Sequence, residues 1–276
     1  MARQYHLQVE EGDIAPTVLL PGDPARVPII ASFWDESRHL ATNREYTTYT
    51  GTYRGVPITA TSTGIGAPST AIAMEELARC GARTFIRVGT CGTFQDDVEK
   101  GDMLIFDGAM RLEGTSKRYA PIEYPAIAHH EVLQAAIAAA EGLGVRHQVG
   151  LTRSADSFFT GHPKPGSSYA EYWQSWWAGE FEDLHQLNIV GAEMESSAVF
   201  VLARVWELRA GAVALVVDNS RKAEAEEQVF DPEEQFRHQQ ADIERLSQLG
   251  CEIVRVLAEQ DTARAARAGG SAKTST

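Results

Sequence analysis

Cysteine is scarce: Cys80, Cys91 and Cys251 are the three in 276 residues, and no C-x-x-C pair occurs. An odd, widely spaced set excludes a disulfide framework and a cysteine-built zinc site, and predicts buried, reduced thiols. Long apolar runs are missing too. No stretch reaches the roughly 18 apolar residues of a spanning helix, and the opening MARQYHLQVEEGD holds no continuous apolar segment of the signal-peptide kind. Basic charge is in short supply: Lys and Arg number 25 against 38 Asp and Glu, a formal net charge of −13. Such a surface repels nucleic-acid phosphates and anionic membranes, so neither is an expected partner. A local group of arginines can still hold a small anion. A G-x-S-x-G elbow is absent, which leaves no serine nucleophile of that type. His129 and His130 are adjacent, and adjacent side chains on a helix point apart, so they make a poor metal pair. These absences predict a soluble cytoplasmic protein.

What is present is an α/β pattern. The apolar fraction is 43%, enough for one large core. Residues 17–20, 46–54, 56–63, 84–88, 103–106, 149–152, 189–192 and 212–217 read as strands, several of them apolar throughout. Residues 27–33, 69–80, 131–143, 169–177, 196–208 and 231–257 read as helices, with Pro68 opening the second and Gly144 closing the third. Strands apolar on both faces predict a central mixed sheet covered by helices on each side. Residues 1–260 are expected to form a single domain. The low-apolar 261–276 reads as a disordered tail. The aromatic stretch from Tyr169 to Trp177 reads as core or subunit contact, with a lid as the alternative.

Ligands of such sheets bind beyond strand ends, and four strand exits carry unusual residues. Gly22 lets backbone N–H groups approach a ligand, and Arg26 can clamp an anion; a bland turn explains the pair equally well. Thr63-Gly64-Ile65-Gly66-Ala67-Pro68-Ser69 has Ser69 where a dinucleotide fingerprint needs its third glycine, so a nicotinamide site is rejected, while a helix start suited to an anion remains. Arg87 lies inside an apolar strand sequence before Gly89-Thr90-Cys91-Gly92. A buried guanidinium must be paired, either with a carboxylate or with a bound phosphate. Glu193-Met194-Glu195 precede a helix. Their acidity suits the helix dipole, or it serves to accept hydrogen bonds from sugar hydroxyls.

The motifs PGDPAR, NREYTTYTG, STGIGAPS, IRVGTCG and GAEMESSA, in that order, resemble the nucleoside phosphorylase family that includes uridine phosphorylase and hexameric purine nucleoside phosphorylase. The likeness runs from about His6 to about Leu257. It implies a three-layer α/β/α fold with a mixed, partly barrel-like central sheet. It implies cleavage of a nucleoside by inorganic phosphate as co-substrate, with no cofactor required. Gly22, Arg26, Arg87 and Thr90 would hold phosphate, and Arg44 would reach the phosphate of a neighbouring subunit. His6 would reach a neighbour's ribose, while Glu193, Met194 and Glu195 hold the chain's own, with Glu195 on the 2′ and 3′ hydroxyls. Glu45, Ile65 and Ser69 match the positions where uridine phosphorylases can hold potassium at a dimer contact. A shared site implies a dimer-based homo-oligomer, with a hexamer the family's usual form. Nucleosidases of the same fold lack the arginine set.

On the base the motifs divide. The stretch from Arg111-Leu112-Glu113-Gly114-Thr115 to Pro125-Ala126 and the long segment after Asp156-Ser157-Phe158-Phe159 resemble the uridine branch, with Phe158 stacking on either base. That branch grips uracil with a glutamine and an arginine, where this chain has His162 and Lys164. Asp218 instead matches the aspartate that protonates a purine. A partly desolvated carboxyl at a strand exit can act as a general acid, assisted by Arg221, or it can simply cap the next turn. Uridine is the expected substrate, with a purine or broad specificity as the alternative.

Overall fold

The structure is a computed structural model that describes residues 3–161, 168–222 and 232–271. Strand β1 (Thr17–Leu20) leads to helix α1 (Arg26–Ala31). Strands β2 (Glu36–Asn43), β3 (Tyr46–Tyr53) and β4 (Val56–Thr61) form an antiparallel meander. Next come α2 (Ala67–Arg79), β5 (Thr84–Thr93), β6 (Met103–Leu112), the one-turn α3 (Ser116–Tyr119), the short β7 (Ala126–Ile127) and α4 (His130–Leu143). The order ends with β8 (His147–Ala155), α5 (Ser175–Gln186), β9 (Gly191–Glu193), α6 (Ser196–Val205), β10 (Arg209–Asn219) and α7 (Pro232–Ser271).

Sheet pairing explains the partly barrel-like form. β10 runs parallel to β5 along its length and antiparallel to β6 on its other edge. β6 continues to β8, β8 to β9, and β9 returns to β5. These five strands close a ring. β1, β4, β3 and β2 extend from β5 as an open wing.

Alternating side chains feed two cores. Val18, Leu20, Phe85, Leu104 and Phe106 pack with Met74, Leu77 and Phe200 of α2 and α6. Leu19, Ile86, Met103, Ile105 and Val213 pack on the other face with Ile30, Val132, Leu249 and Ile253 of α1, α4 and α7. The strands are apolar at successive positions because both faces are covered. Each such fully buried side chain contributes about 1.5–3 kcal/mol.

The structure departs from the sequence expectation at several elements; the helix expected over 169–177 is instead a single turn at Tyr169–Glu171 followed by α5 from Ser175. β2 was not expected, because its residues are mostly exposed and polar and it lies at the sheet's edge. β5 does not stop at Val88 but carries the whole Gly89–Gly92 motif as strand, held by β10 alongside. The expected disordered tail is corrected for 261–271, where α7 continues to Ser271. Asp261 there forms a two-pronged pair with Arg209 at 2.8 and 2.9 Å, and Arg264 reaches Glu131 at 3.3 Å. Among the described residues no helix is long and apolar enough to cross a membrane.

Candidate active site

A cavity of about 680 Å³ opens where β1, β4, β5, β8, β9 and β10 end. It brings together Gly22, Arg26, Glu45, Ile65, Arg87, Thr90, Phe158, Glu193, Met194, Glu195 and Asp218. Stretches far apart in the sequence thus meet because strands of the closed ring and its wing bring their ends to one cavity.

Arg87 is 5% exposed and already paired. Its Nε donates to Glu193 Oε2 at 2.8 Å, and its Nη2 bonds Glu195 Oε2. Of the two open readings for Arg87, the structure shows the carboxylate partners. It does so inside the cavity, and Nη1 has no partner among the described residues. Burial opposes the charge on Arg87, but Glu195 and Glu193 outweigh it and raise its pKa. Gly89 is required here: a Cβ at this position would stand 2.8 Å from Arg87 Cζ.

The two glutamates differ. Glu193 Oε2 accepts from Arg87 Nε and from the backbone N–H of Glu195 and Ser196, each N–H at 2.9 Å, and so anchors the start of α6. Its Oε1 accepts from Ser154 Oγ. Glu195 Oε1 takes the backbone N–H of Gly66 at 2.5 Å. The helix start expected to receive an anion therefore holds the protein's own carboxylate. Each carboxylate oxygen can accept about two bonds. Glu195 keeps that capacity, whereas Glu193 Oε2 is saturated and its side chain is 1% exposed. Burial pushes the Glu195 carboxyl up, against the pull of Arg87 and with the help of Glu193.

The Arg26 side chain makes no hydrogen bond or ion pair among the described residues, while its backbone N–H donates to the Asp23 carbonyl at 3.1 Å. Burial lowers its pKa, Asp23 offsets this, and the nearby charge of Arg87 adds to the lowering. Thr90 and Gly22 complete that side of the cavity.

A bulge between Val216 and Asp218 breaks the alternation of β10. Both Val217 and Asp218 consequently line the cavity, where a regular strand would send one away. Ser220 Oγ lies 3.5 Å from Asp218 Oδ2.

Other expected residues stand elsewhere. Arg221 pairs with Asp96 at 2.9 Å and Glu182 at 3.2 Å, outside the cavity lining. His6 bonds Glu76 at 2.7 Å, and Arg44 is exposed at the turn between β2 and β3; neither lines this cavity. Ser69 Oγ bonds the carbonyls of Ile65 and Gly66, each at 3.2 Å, and lies beside Glu45 around Gly64. His162 and Lys164 fall outside the described residues. Of the aromatic stretch, Trp177 is buried, while Tyr169 and Trp176 are exposed. Cys91 lines the cavity, but burial raises its pKa and keeps the thiol protonated. His129 caps α4 by accepting from Glu131 N at 3.3 Å.

Sequence reasoning missed Arg153, which is 4% exposed and lines the cavity. The available signal was a lone arginine inside a strand, the same signal that marked Arg87. Ending that strand at Thr152 hid it.

Comparison with known proteins decides the family. The Phosphorylase superfamily model matches residues 16–255. This chain belongs to the phosphorylase superfamily. A uridine phosphorylase of Thermococcus kodakarensis is 53% identical over 216 residues, 78% of this chain and 77% of the relative. A guanosine phosphorylase of Halorubrum lacusprofundi is 42% identical over 234 residues, 83% and 91% of the two chains. The crystal structure of a uridine phosphorylase from Vibrio fischeri aligns with a TM-score of 0.79 at 32% identity, covering 92% of this phosphorylase and 98% of that chain. The mixed sheet with its closed ring and flanking helices is the fold of that neighbour.

Proposed function

We propose that this enzyme catalyses the reversible phosphorolysis of a nucleoside, uridine foremost, to free base and ribose 1-phosphate. The observation that carries the reading is one cavity in which Arg26, with no ion pair, adjoins the Arg87–Glu195 cluster. Arg26, Thr90 and the free donor of Arg87 suit a dianionic phosphate. Glu195, with accepting capacity left, suits ribose hydroxyls. Phosphate attacks C1′ as the C1′–N bond breaks and its electron pair passes to the base. Positive charge builds on the sugar ring, and the held phosphate and Glu195 stabilise it. Phe158 supplies a stacking face for the base.

A purine substrate is the second reading, favoured by Asp218 in the cavity and by the guanosine phosphorylase relative. We further propose a dimer-based oligomer, with a hexamer the larger form. Arg44 and His6, absent from this chain's own cavity, would serve a neighbour's site. The oxygens of Glu45, Ile65 and Ser69 suit a hard cation such as potassium, shared between two subunits. Three free thiols fit the reducing cytoplasm.

The test is a panel of uridine, thymidine, inosine and adenosine, each with and without phosphate. Phosphate-dependent release of base and ribose 1-phosphate supports the reading, and cleavage without phosphate refutes it. Sizing at micromolar concentration tests the assembly: a fully active monomer would rule out the shared site.

A further inference from the structure

The geometry points to Arg153 as the residue that recognises the base, donating to a carbonyl oxygen on it and so selecting oxo bases over amino bases. The inference rests on the phosphorolysis reading and deepens it. Arg153 lies in none of the motifs that mark the family resemblance.

Register sets its position. Arg153 of β8 pairs with Ala192 of β9, Ala192 with Gly92 of β5, and Gly92 with Asp218 of β10. This row crosses four strands of the closed ring at one level, and all four residues line the cavity. Arg153 thus lines the cavity together with Ser157, Phe158 and Gly161, beside the ring that offers the base its stacking face.

Its bonding is incomplete. Nη2 donates to the Gly161 carbonyl at 3.0 Å, and the guanidinium lies 5.7 Å from the Phe94 ring centroid. Nε is buried with no partner among the described residues. Glu180 and Glu193 act on it only through space, with no ion pair among the described residues, and burial lowers its pKa against their pull. Arg111 is the control. It is equally buried, but its donors go to Ser116 Oγ and the carbonyls of Ala120, Pro121, Ile122 and Tyr124, and it does not line the cavity. A structural arginine in this fold is fully bonded, whereas Arg153 carries a buried charge with donors to spare, a costly state unless a ligand completes it.

The chemistry follows from arginine having donors only. As the C1′–N bond breaks, the electron pair enters the base and charge spreads to its carbonyl oxygens; the departing base then takes a proton, from solvent for uracil or from Asp218 on the purine reading. A guanidinium N–H on such an oxygen binds more tightly in the transition state than before it. An exocyclic amine at that place would set donor against donor. Uracil and 6-oxopurines both satisfy Arg153, so it serves either reading of the base.

The experiment compares wild type with Arg153→Met and Arg153→Lys at saturating phosphate on uridine, inosine, cytidine and adenosine. Calorimetric binding of uracil and of cytosine is measured alongside. Arg153→Met should lower kcat/KM on the preferred oxo substrate about 10- to 100-fold and change amino substrates far less, with Arg153→Lys intermediate. Uracil affinity should fall and cytosine affinity hold. A variant that loses both classes by equal factors, or binds both bases equally less, overturns the assignment and leaves Arg153 a prop for Gly161. Wild type that cleaves none of these nucleosides with phosphate overturns the phosphorolysis reading instead. If Arg153→Met does not fold, Arg153→Lys decides: an unchanged oxo-to-amino ratio refutes the role.

Discussion

Arg87 Nε donates to Glu193 Oε2 at 2.8 Å, and neither side chain is more than 6% exposed. The same oxygen receives two backbone N–H groups of the loop entering α6. An arginine of the central sheet is thereby tied to the loop that carries Glu195. Breaking such a pair from one side costs about 3–5 kcal/mol, because the survivor is left charged and buried.

Arg87→Ala should therefore abolish phosphorolysis and also destabilise the fold by about that amount. Urea unfolding and a phosphate-dependent assay read the two effects. Lost activity at unchanged stability would remove the structural role, and retained turnover would mean the anion is held elsewhere.

Arg26→Ala should separate these effects. Arg26 has no ion pair to break, so stability should stay within about 0.5 kcal/mol. Losing its charge-assisted bonds to phosphate should cost roughly 10- to 100-fold in kcat/KM for phosphate. An unchanged phosphate dependence would exclude Arg26 from the anion site.

Gly89→Ala places a Cβ 2.8 Å from Arg87 Cζ. The guanidinium must shift, and it is held by two glutamates. Activity should fall by about tenfold or more, since misplacement of reacting groups by an ångström is that costly. Wild-type kinetics in this variant would show that the guanidinium has room to yield.

Asp218→Asn keeps the shape and removes the acid. If a purine is cleaved, inosine turnover should drop far more than uridine turnover, as expected of a group that protonates a leaving purine. Equal losses would remove Asp218 from that role.

Asp261 gives a pH test. Burial raises its pKa, but the hydrogen bonds of Arg209 and Arg264 outweigh this and hold the carboxyl below its usual value. Its folded pKa is thus lower than its unfolded one. The stability it confers is present above about pH 4 and lost as pH falls through the folded value. Asp261 is partly exposed, so the contribution is below about 1 kcal/mol. Asp261→Asn should reduce the difference between urea midpoints at neutral and acid pH. An undiminished difference would mean that the pair with Arg209 does not persist in solution.

Much of this was legible in the chain itself. Apolar strands broken by Gly22, Gly64 and Gly89, with arginines just inside or after them, were enough to mark a sheet whose strand ends gather buried guanidinium groups, because burial makes a guanidinium in an apolar run conspicuous. The sequence also placed the Glu193–Glu195 pair at a helix start. Only the tertiary structure decided how these groups share the work. That Glu193 is consumed by backbone N–H groups while Glu195 keeps capacity depends on how α6 meets β5, a contact 106 residues apart in the case of Arg87 and Glu193. The bulge at Val217, the diversion of Arg221 to Asp96 and Glu182, and the unfinished bonding of Arg153 have no local signature. Each arises from strands brought together by ring closure, and pairing partners so far apart in the chain leave no periodicity to read.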